Sequence, residues 1–573
     1  MTLSPSERIA GILIPLFAIR TEDDLGIGDL EGLRQFILWA REAGFRLVQL
    51  LPINETGGDN SPYNAISSRA IDPTTLYLAP GSPPELSRKI FDQVVRRIDL
   101  KPLRRGRVKY EIVKPLKKKL LERAFAVFRR RRDSTRGELF VSFCEAEKSW
   151  LDDYALFRAL MEKNGEREKW DEWPNEYRSM SAARAWRDSL GEKERRAIEA
   201  RREFYSYVQW IAYEQWREMK LYAEQQGTAL MGDIPFGISY YSADVFAQPE
   251  QFSLDWSGGA PPEPYFKDDE FTQKWGQNWG IPLYRWDVMR SRNFDWWRSR
   301  VRGVQEIFHV FRIDHVLGFY RIYSFPWRPE ENAEFLPLSA EEMLAQSGGR
   351  EPRFAPRDDS TWENCAANCH EGEEYLRVVL EESGETRVVG EDLGVVPDYV
   401  RPSLRSLGIA GFKIPQWENN PGNRSIPGSS YERLSVATFA THDHKPLRAL
   451  WEEALKKSEP SAQALHDLTR IAEFSGIGAP NDQMNFTRDF FPAIFETLFR
   501  SESWIVIVMI TDLLARKERF NVPGTAAHSN WTRRLHTTVK KLGRSRTIRH
   551  QMRLIRELIE KSGRAVSPER SEG

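Results

Sequence analysis

Short, uninterrupted apolar runs recur along the chain. Each closes on polar or charged residues and gives way to helix-type spacing. They are Ile12 to Phe17, Leu47 to Leu51, Ala229 to Asp233, Phe308 to Asp314, Arg387 to Asp392, Gly411 to Ile414, Ser435 to Asp443 and Ile505 to Asp512. Continuous rather than alternating apolar character belongs to strands covered on both faces, as in a parallel sheet. Eight such strands separated by helices predict an α/β fold, a (β/α)8 TIM barrel with helical insertions. Five runs end in an acid: Asp233, Asp314, Glu391, Asp443 and Asp512. In a TIM barrel the C-terminal ends of the strands are where active sites are built. For any one acid, a helix N-cap or first-turn position is an equal reading. The explanation weakens when five recur.

The spacing of the strands is uneven, and this sets the expected organisation. Residues 1–78 carry strands one and two, and 79–225 form an inserted, mainly helical subdomain. Residues 226–324 carry strands three and four with groove loops, 325–382 a small insertion, 383–561 strands five to eight, and 562–573 a flexible polar tail. The insertion at 325–382 contains the loop-like stretch Glu351 to Arg357.

Composition narrows the partners. The 573 residues include 83 basic and 83 acidic side chains. That balance gives no long-range pull toward nucleic acid or an anionic membrane. The basic runs Lys117 to Lys119 and Arg129 to Arg132 are flanked by Glu122, Asp133 and Glu138, and read as solvated helix faces. No segment reaches the ~18 apolar residues of a membrane span. The run Ile9 to Ile19 reads as a buried strand rather than a signal peptide, since it lacks a basic leader and a cleavage site. Cys144, Cys365 and Cys369 cannot all pair, which favours a reducing, cytoplasmic setting. Cys365 and Cys369-His370 are spaced one residue too far apart for a haem motif and have no second ligand pair nearby; they read as a loop, with no metal expected. Aromatic residues make up 12% of the chain, with 19 Trp. Most serve core packing, and the surplus suits a groove for sugar rings.

Three acidic segments carry candidate chemistry. Arg312 and Asp314 stand two apart on a strand and face the same side. A guanidinium there keeps a carboxylate ionised, as a glycosidic nucleophile must be; a structural ion pair fits equally well. Glu391 and Asp392 project together between Gly390 and Gly394. Like charges raise one member's pKa, which suits a general acid; a tight turn with surface acids is the alternative. In Thr441-His442-Asp443-His444, His442 and Asp443 can grip sugar hydroxyls. No Gly-x-Ser-x-Gly elbow supports a serine hydrolase, and nine scattered histidines argue against a metal site.

The chain also resembles the 4-α-glucanotransferases (amylomaltases, or disproportionating enzymes, of glycoside hydrolase family 77) from about Ala10 to Leu535. The resemblance is carried by Gly26-Ile-Gly-Asp29-Leu, Leu51-Pro-Ile-Asn-Glu with Ser61-Pro62-Tyr63, and Gly232-Asp233-Ile-Pro235 with Ser242-Ala-Asp244-Val. It continues through Gly259-Ala-Pro-Pro262, Gly276-Gln277-Asn-Trp279-Gly280, Phe311 to His315, Gly390 to Gly394, Thr441-His442-Asp443 and Asn521-Val-Pro523-Gly-Thr525. It implies a barrel of the α-amylase type with Asp314 as nucleophile, Glu391 as general acid/base and Asp443 as transition-state carboxylate. It implies sugar contacts from Tyr63, Asp233, Gln277, Trp279, Arg312, His315, Trp417 and His442. It further implies transfer of α-1,4-glucan segments to glucose or another glucan, without a cofactor. A hydrolase using the same carboxylates, or a non-catalytic glucan-binding protein, are the rival readings. Two features set the chain apart. His444-Lys445-Pro446 stands where many relatives carry small polar residues. The 259–262 and 277–279 segments look like the branch that includes plant cytosolic enzymes, although no starch-binding module precedes the barrel.

Overall fold

The eight apolar runs all become strands of one parallel sheet in the computed structural model, which describes residues 3–263, 269–523 and 529–565. Among the described residues twelve strands form in chain order: β1 (Ile9–Leu13), β2 (Leu47–Gln49), β3 (Ala229–Pro235), β4 (Phe252–Ala260), β5 (Gln277–Tyr284), β6 (Val310–Asp314), β7 (Ile322–Phe325), β8 (Arg353–Ala355), β9 (Arg387–Gly390), β10 (Gly411–Lys413), β11 (Ser435–Ala437) and β12 (Ile505–Met509). The large sheet runs β10-β11-β12-β1-β2-β3-β6-β9. A bridge from Val389 to Ala410, with the Gly390 amide donating to the Ala410 carbonyl at 2.9 Å, closes it into a barrel. Close packing restricts some positions to glycine: a Cβ at Gly232 would stand 2.4 Å from the Phe308 ring.

Several elements differ from expectation. The first strand begins earlier, at Ile9, and ends at Leu13; Pro15 lacks an amide donor, and Leu16–Ala18 turns into a 3-10 helix. The last strand stops at Met509, and Asp512 falls in the short helix Ile510–Leu513. There its Oδ1 accepts the Leu447 amide at 2.7 Å, so it starts a helix instead of facing a site. Cys365 and Cys369 lie one turn apart on the helix Trp362–Ser383, not in a loop. The stretch Glu351 to Arg357 contains β8, held by Phe354 edge-on to Tyr323 at 5.2 Å and under the Arg321 guanidinium at 3.7 Å. With it, the groove segments become a four-stranded antiparallel sheet, β5-β4-β7-β8. The chain beyond Lys561 is packed rather than loose as far as Arg564. That guanidinium is fully buried under the barrel and donates to the carbonyls of Phe499, Ile9, Trp504, Ser501 and Ser503. The rest of the expected tail, 566–573, lies outside the described residues.

Between β2 and β3 the chain is helical, ending in the 34-residue helix Glu192–Gln225 that leads back to the barrel. Its Gln209 exchanges hydrogen bonds with the backbone of Ile71 at 2.8 and 3.0 Å. Arg158, on the neighbouring helix Lys148–Lys163, reaches Glu55 at 3.0 Å. Both contacts grip the loop after β2, which carries Tyr63. Among the described residues no helix is long and apolar enough to cross a membrane.

Candidate active site

Strand register assembles the site. β3 and β6 pair Asp233 with Arg312 and Pro235 with Asp314, and β6 and β9 pair Ile313 with Gly390. Asp314 and Glu391 therefore leave adjacent strands side by side, about 4.8 Å apart at the backbone. Arg312 lies on the same strand face as Asp314 and bridges two acids, donating to Asp233 Oδ2 at 2.9 Å and to Asp314 Oδ1. Immediately after Asp314 the backbone turns: His315 has φ of +52°, a region costly for a non-glycine residue. This turn aims its amide at Glu391 Oε2, at 2.9 Å.

The two carboxyls differ in their hold on a proton. Burial pushes Asp314 up to about 6, against the pull of Arg312, and Asp233 adds to the rise. Arg312 lowers it, as the sequence pattern suggested, but burial outweighs that pull. Burial, and then the Asp314 charge, push Glu391 up to about 8. Asp392 contributes little. It points the other way, accepting the Phe412 amide at 2.6 Å and Arg401 at 3.1 Å. Near neutrality Asp314 is thus mostly ionised and Glu391 protonated.

Asp443 lies beyond β11, where the chain has left the sheet. His442 Nε2 is 3.2 Å from its Oδ2, and the Asn521 amide donates to its Oδ1 at 2.7 Å. Burial favours its neutral form, but His442 and Asn521 together hold it well below the ordinary carboxylate range. Arg519 fixes the backbone by donating to the Asp443 carbonyl at 2.5 Å. Tyr63 stacks on His442, with centroids 4.9 Å apart and planes 8° from parallel, and its hydroxyl donates to Asp233 at 2.6 Å.

Asp314, Glu391, Asp443, Tyr63, Arg312 and His315 line one cleft. Asp233 and His442 sit beneath it, with side chains 0% and 2% exposed. Gln277, Trp279 and Trp417 also line it; the Trp279 indole donates to Gln277 at 3.2 Å and stands edge-on to His315. The cleft encloses about 3330 Å³, well above the ~300–1,000 Å³ of a typical small-molecule pocket. It has room for a chain rather than a single ring. Among the described residues no three His, Cys, Asp or Glu side chains converge as a metal site.

Sequence reasoning gave no role to Asn521, Arg519 or His444. Asn521 opens one of the quoted motifs, so its signal was present without an assignment. Arg519 stands in no pattern, and only the fold brings it to Asp443. Gly524 and Thr525 of that motif lie outside the described residues.

A closed eight-stranded parallel barrel with a rim of carboxylates and a groove-flanking antiparallel sheet defines a TIM-barrel protein with a chain-length cleft. The family model described as 4-alpha-glucanotransferase, glycoside hydrolase family 77, matches residues 14–540. A 4-alpha-glucanotransferase from Chlamydia caviae is 31% identical over 93% of this chain and 91% of its own length. The solved amylomaltase from Streptococcus agalactiae in complex with acarbose superposes with a TM-score of 0.73 at 22% identity, covering 98% of this chain and all of that one. The amylomaltase from Corynebacterium glutamicum superposes at 0.75 with 21% identity, over 98% of this chain and 75% of that one. The chain belongs to the 4-alpha-glucanotransferase family of glycosyl-transferring enzymes.

Proposed function

We propose that this protein moves a segment of an α-1,4-glucan to the 4-hydroxyl of glucose or another α-1,4-glucan, by two displacements at one anomeric carbon. Asp314 attacks that carbon while Glu391 protonates the departing glycosidic oxygen. The reducing-end fragment leaves, and a β-linked glycosyl-enzyme remains on Asp314. Glu391, now a carboxylate, takes the proton of the acceptor hydroxyl, which attacks and restores the α-linkage. Asp443 stays ionised and offsets positive charge on the oxocarbenium-like ring. Arg312 and Asp233 hold Asp314, and Tyr63, with His442 behind it, forms a face for the reacting ring. Gln277, Trp279, His315 and Trp417 bind the flanking sugars. No cofactor enters these steps.

One observation carries this reading: Asp314 and Glu391 leave neighbouring strands in register, where burial and the Asp314 charge raise the Glu391 carboxyl. Adjacent strands suit the short separation of a retaining pair, about 5–5.5 Å, better than the wider gap of an inverting one. The size of the cleft supports maltodextrins, glycogen or starch as substrates. The three unpaired cysteines support a cytoplasmic location, and the balanced charge supports neither nucleic acid nor membrane as a partner.

The covalent step is tested by trapping. Glu391→Gln treated with α-maltotriosyl fluoride, whose leaving group needs no acid, gains one maltotriosyl unit on the peptide containing Asp314. Asp314→Ala gains none. An adduct on another carboxylate, or none in either protein, contradicts the assignment.

A further inference from the structure

Beside the carboxylates stands a histidine whose proton is placed by the backbone and whose donor has no acceptor among the described residues. His444 follows Asp443 and lines the cleft. Its Nδ1 accepts the Thr441 amide at 3.0 Å, and the Thr441 hydroxyl lies 2.8 Å from the same nitrogen. A backbone amide can only donate, so Nδ1 carries no proton, and in the neutral ring the proton is on Nε2. Burial lowers the imidazole to about 4, so the ring is neutral across the physiological range. Among the described residues nothing accepts from Nε2–H, yet it is not one of the sealed, unpartnered polar atoms.

The surroundings match one class of ligand. The half-exposed Trp417 ring lies 4.9 Å from the His444 ring at 49°. An apolar face set at an angle to a neutral donor complements a pyranose, which presents C–H bonds on its faces and hydroxyls at its edge. Lys445 pairs with Glu453 at 2.7 Å, and Arg519 donates to the Asp443 carbonyl. Trp417 follows β10 and His444 follows β11, and β10 adjoins β9, the strand that ends before Glu391. The pair therefore lies on the Glu391 side of Asp443, the side where the departing and incoming sugars meet the acid/base.

We propose that His444 is a specificity-determining residue that donates Nε2–H to a hydroxyl of the acceptor glucan stacked on Trp417. This rests on the reading of Glu391 as acid/base.

Two variants and two readouts test it. His444→Ala raises the KM for glucose as acceptor by about 5- to 10-fold, the loss of one neutral hydrogen bond. The rate of fluoride release from α-maltotriosyl fluoride, which reports donor cleavage, stays within about twofold. His444→Gln, whose amide nitrogen reaches the position of Nε2 as a neutral donor, recovers most of the acceptor KM. An unchanged acceptor KM in His444→Ala, an equal defect in donor cleavage, or no recovery in His444→Gln overturns the proposal. Calorimetric binding of maltotriose to Glu391→Gln, with and without His444→Ala, separates this from the wider reading. If the native protein transferred nothing, weaker binding in the double variant would still uphold His444 as a sugar contact, and equal binding would overturn both.

Discussion

Asp314 and Glu391 share a buried corner, and with the roles proposed for them the order in which they ionise sets the pH range of the chemistry. The nucleophile must be deprotonated and the acid protonated. With Asp314 at about 6 and Glu391 at about 8, activity falls as pH drops below the first value and as it rises above the second. A profile of kcat/KM for transfer from maltotriose is therefore bell-shaped, with limbs near those values belonging to the pair rather than to either residue. Glu391→Gln assayed with α-maltotriosyl fluoride keeps the acid limb and loses the alkaline one. A native profile flat to pH 9.5 would contradict the assignment of Glu391. The common side of Arg312 and Asp314 was legible from strand periodicity alone. The source of the Glu391 shift was not: Asp392 is adjacent in sequence but faces away, whereas Asp314 lies 77 positions earlier and is brought alongside by register. Asn521 was marked by its motif but given no role, and Arg519 was illegible, since nothing local marks a residue whose partner is chosen by the closure of the barrel.

Elements were read best where burial is two-sided. All eight barrel strands announced themselves as continuous apolar runs. The groove sheet did not. β4, β5 and β7 are interrupted by glycine, proline or polar residues, and β8 is three residues long, so pairing rather than composition makes them strands. Acid-ended runs were also read too generously in one case. Asp512 resembles the site acids in sequence but caps the amide of Leu447, at the start of the helix Leu447–Ala454. Burial raises its pKa to about 7. The folded state therefore holds a proton that the unfolded chain releases near pH 4. Stability from this group declines as pH rises from about 4 to 7 and is level above. Asp512→Ala leaves the Leu447 amide unpaired and costs about 1–3 kcal/mol in denaturant unfolding. Asp512→Asn keeps the acceptor without the charge, so its stability relative to the native protein increases between pH 4 and 7. A difference independent of pH would remove Asp512 as a buried, protonated cap.

At the scale of the molecule, the barrel is locked at both ends. Below, Arg564 ties the C-terminal helix to the entry of β1 and β12 through backbone carbonyls. Above, the buried pair Asp24 and Arg534, 2.7 Å apart, joins the loop after β1 to the chain beyond β12. The helices between β2 and β3 hold the Tyr63 loop over the rim, and the antiparallel sheet presents Gln277 and Trp279 across the cleft. A rigid barrel thus fixes the carboxylates while separate structures shape the groove for a long substrate. Sequence could announce the barrel but not how these parts meet, because their contacts join residues hundreds of positions apart. The activity depends on the whole assembly, since the glycosyl-enzyme must be resolved by a sugar held in the groove and not by water. Incubation of the native protein with maltotriose measures this directly. The account predicts glucose together with a ladder of maltodextrins longer than three units, and no ladder from Asp314→Ala; maltose and glucose alone would contradict it.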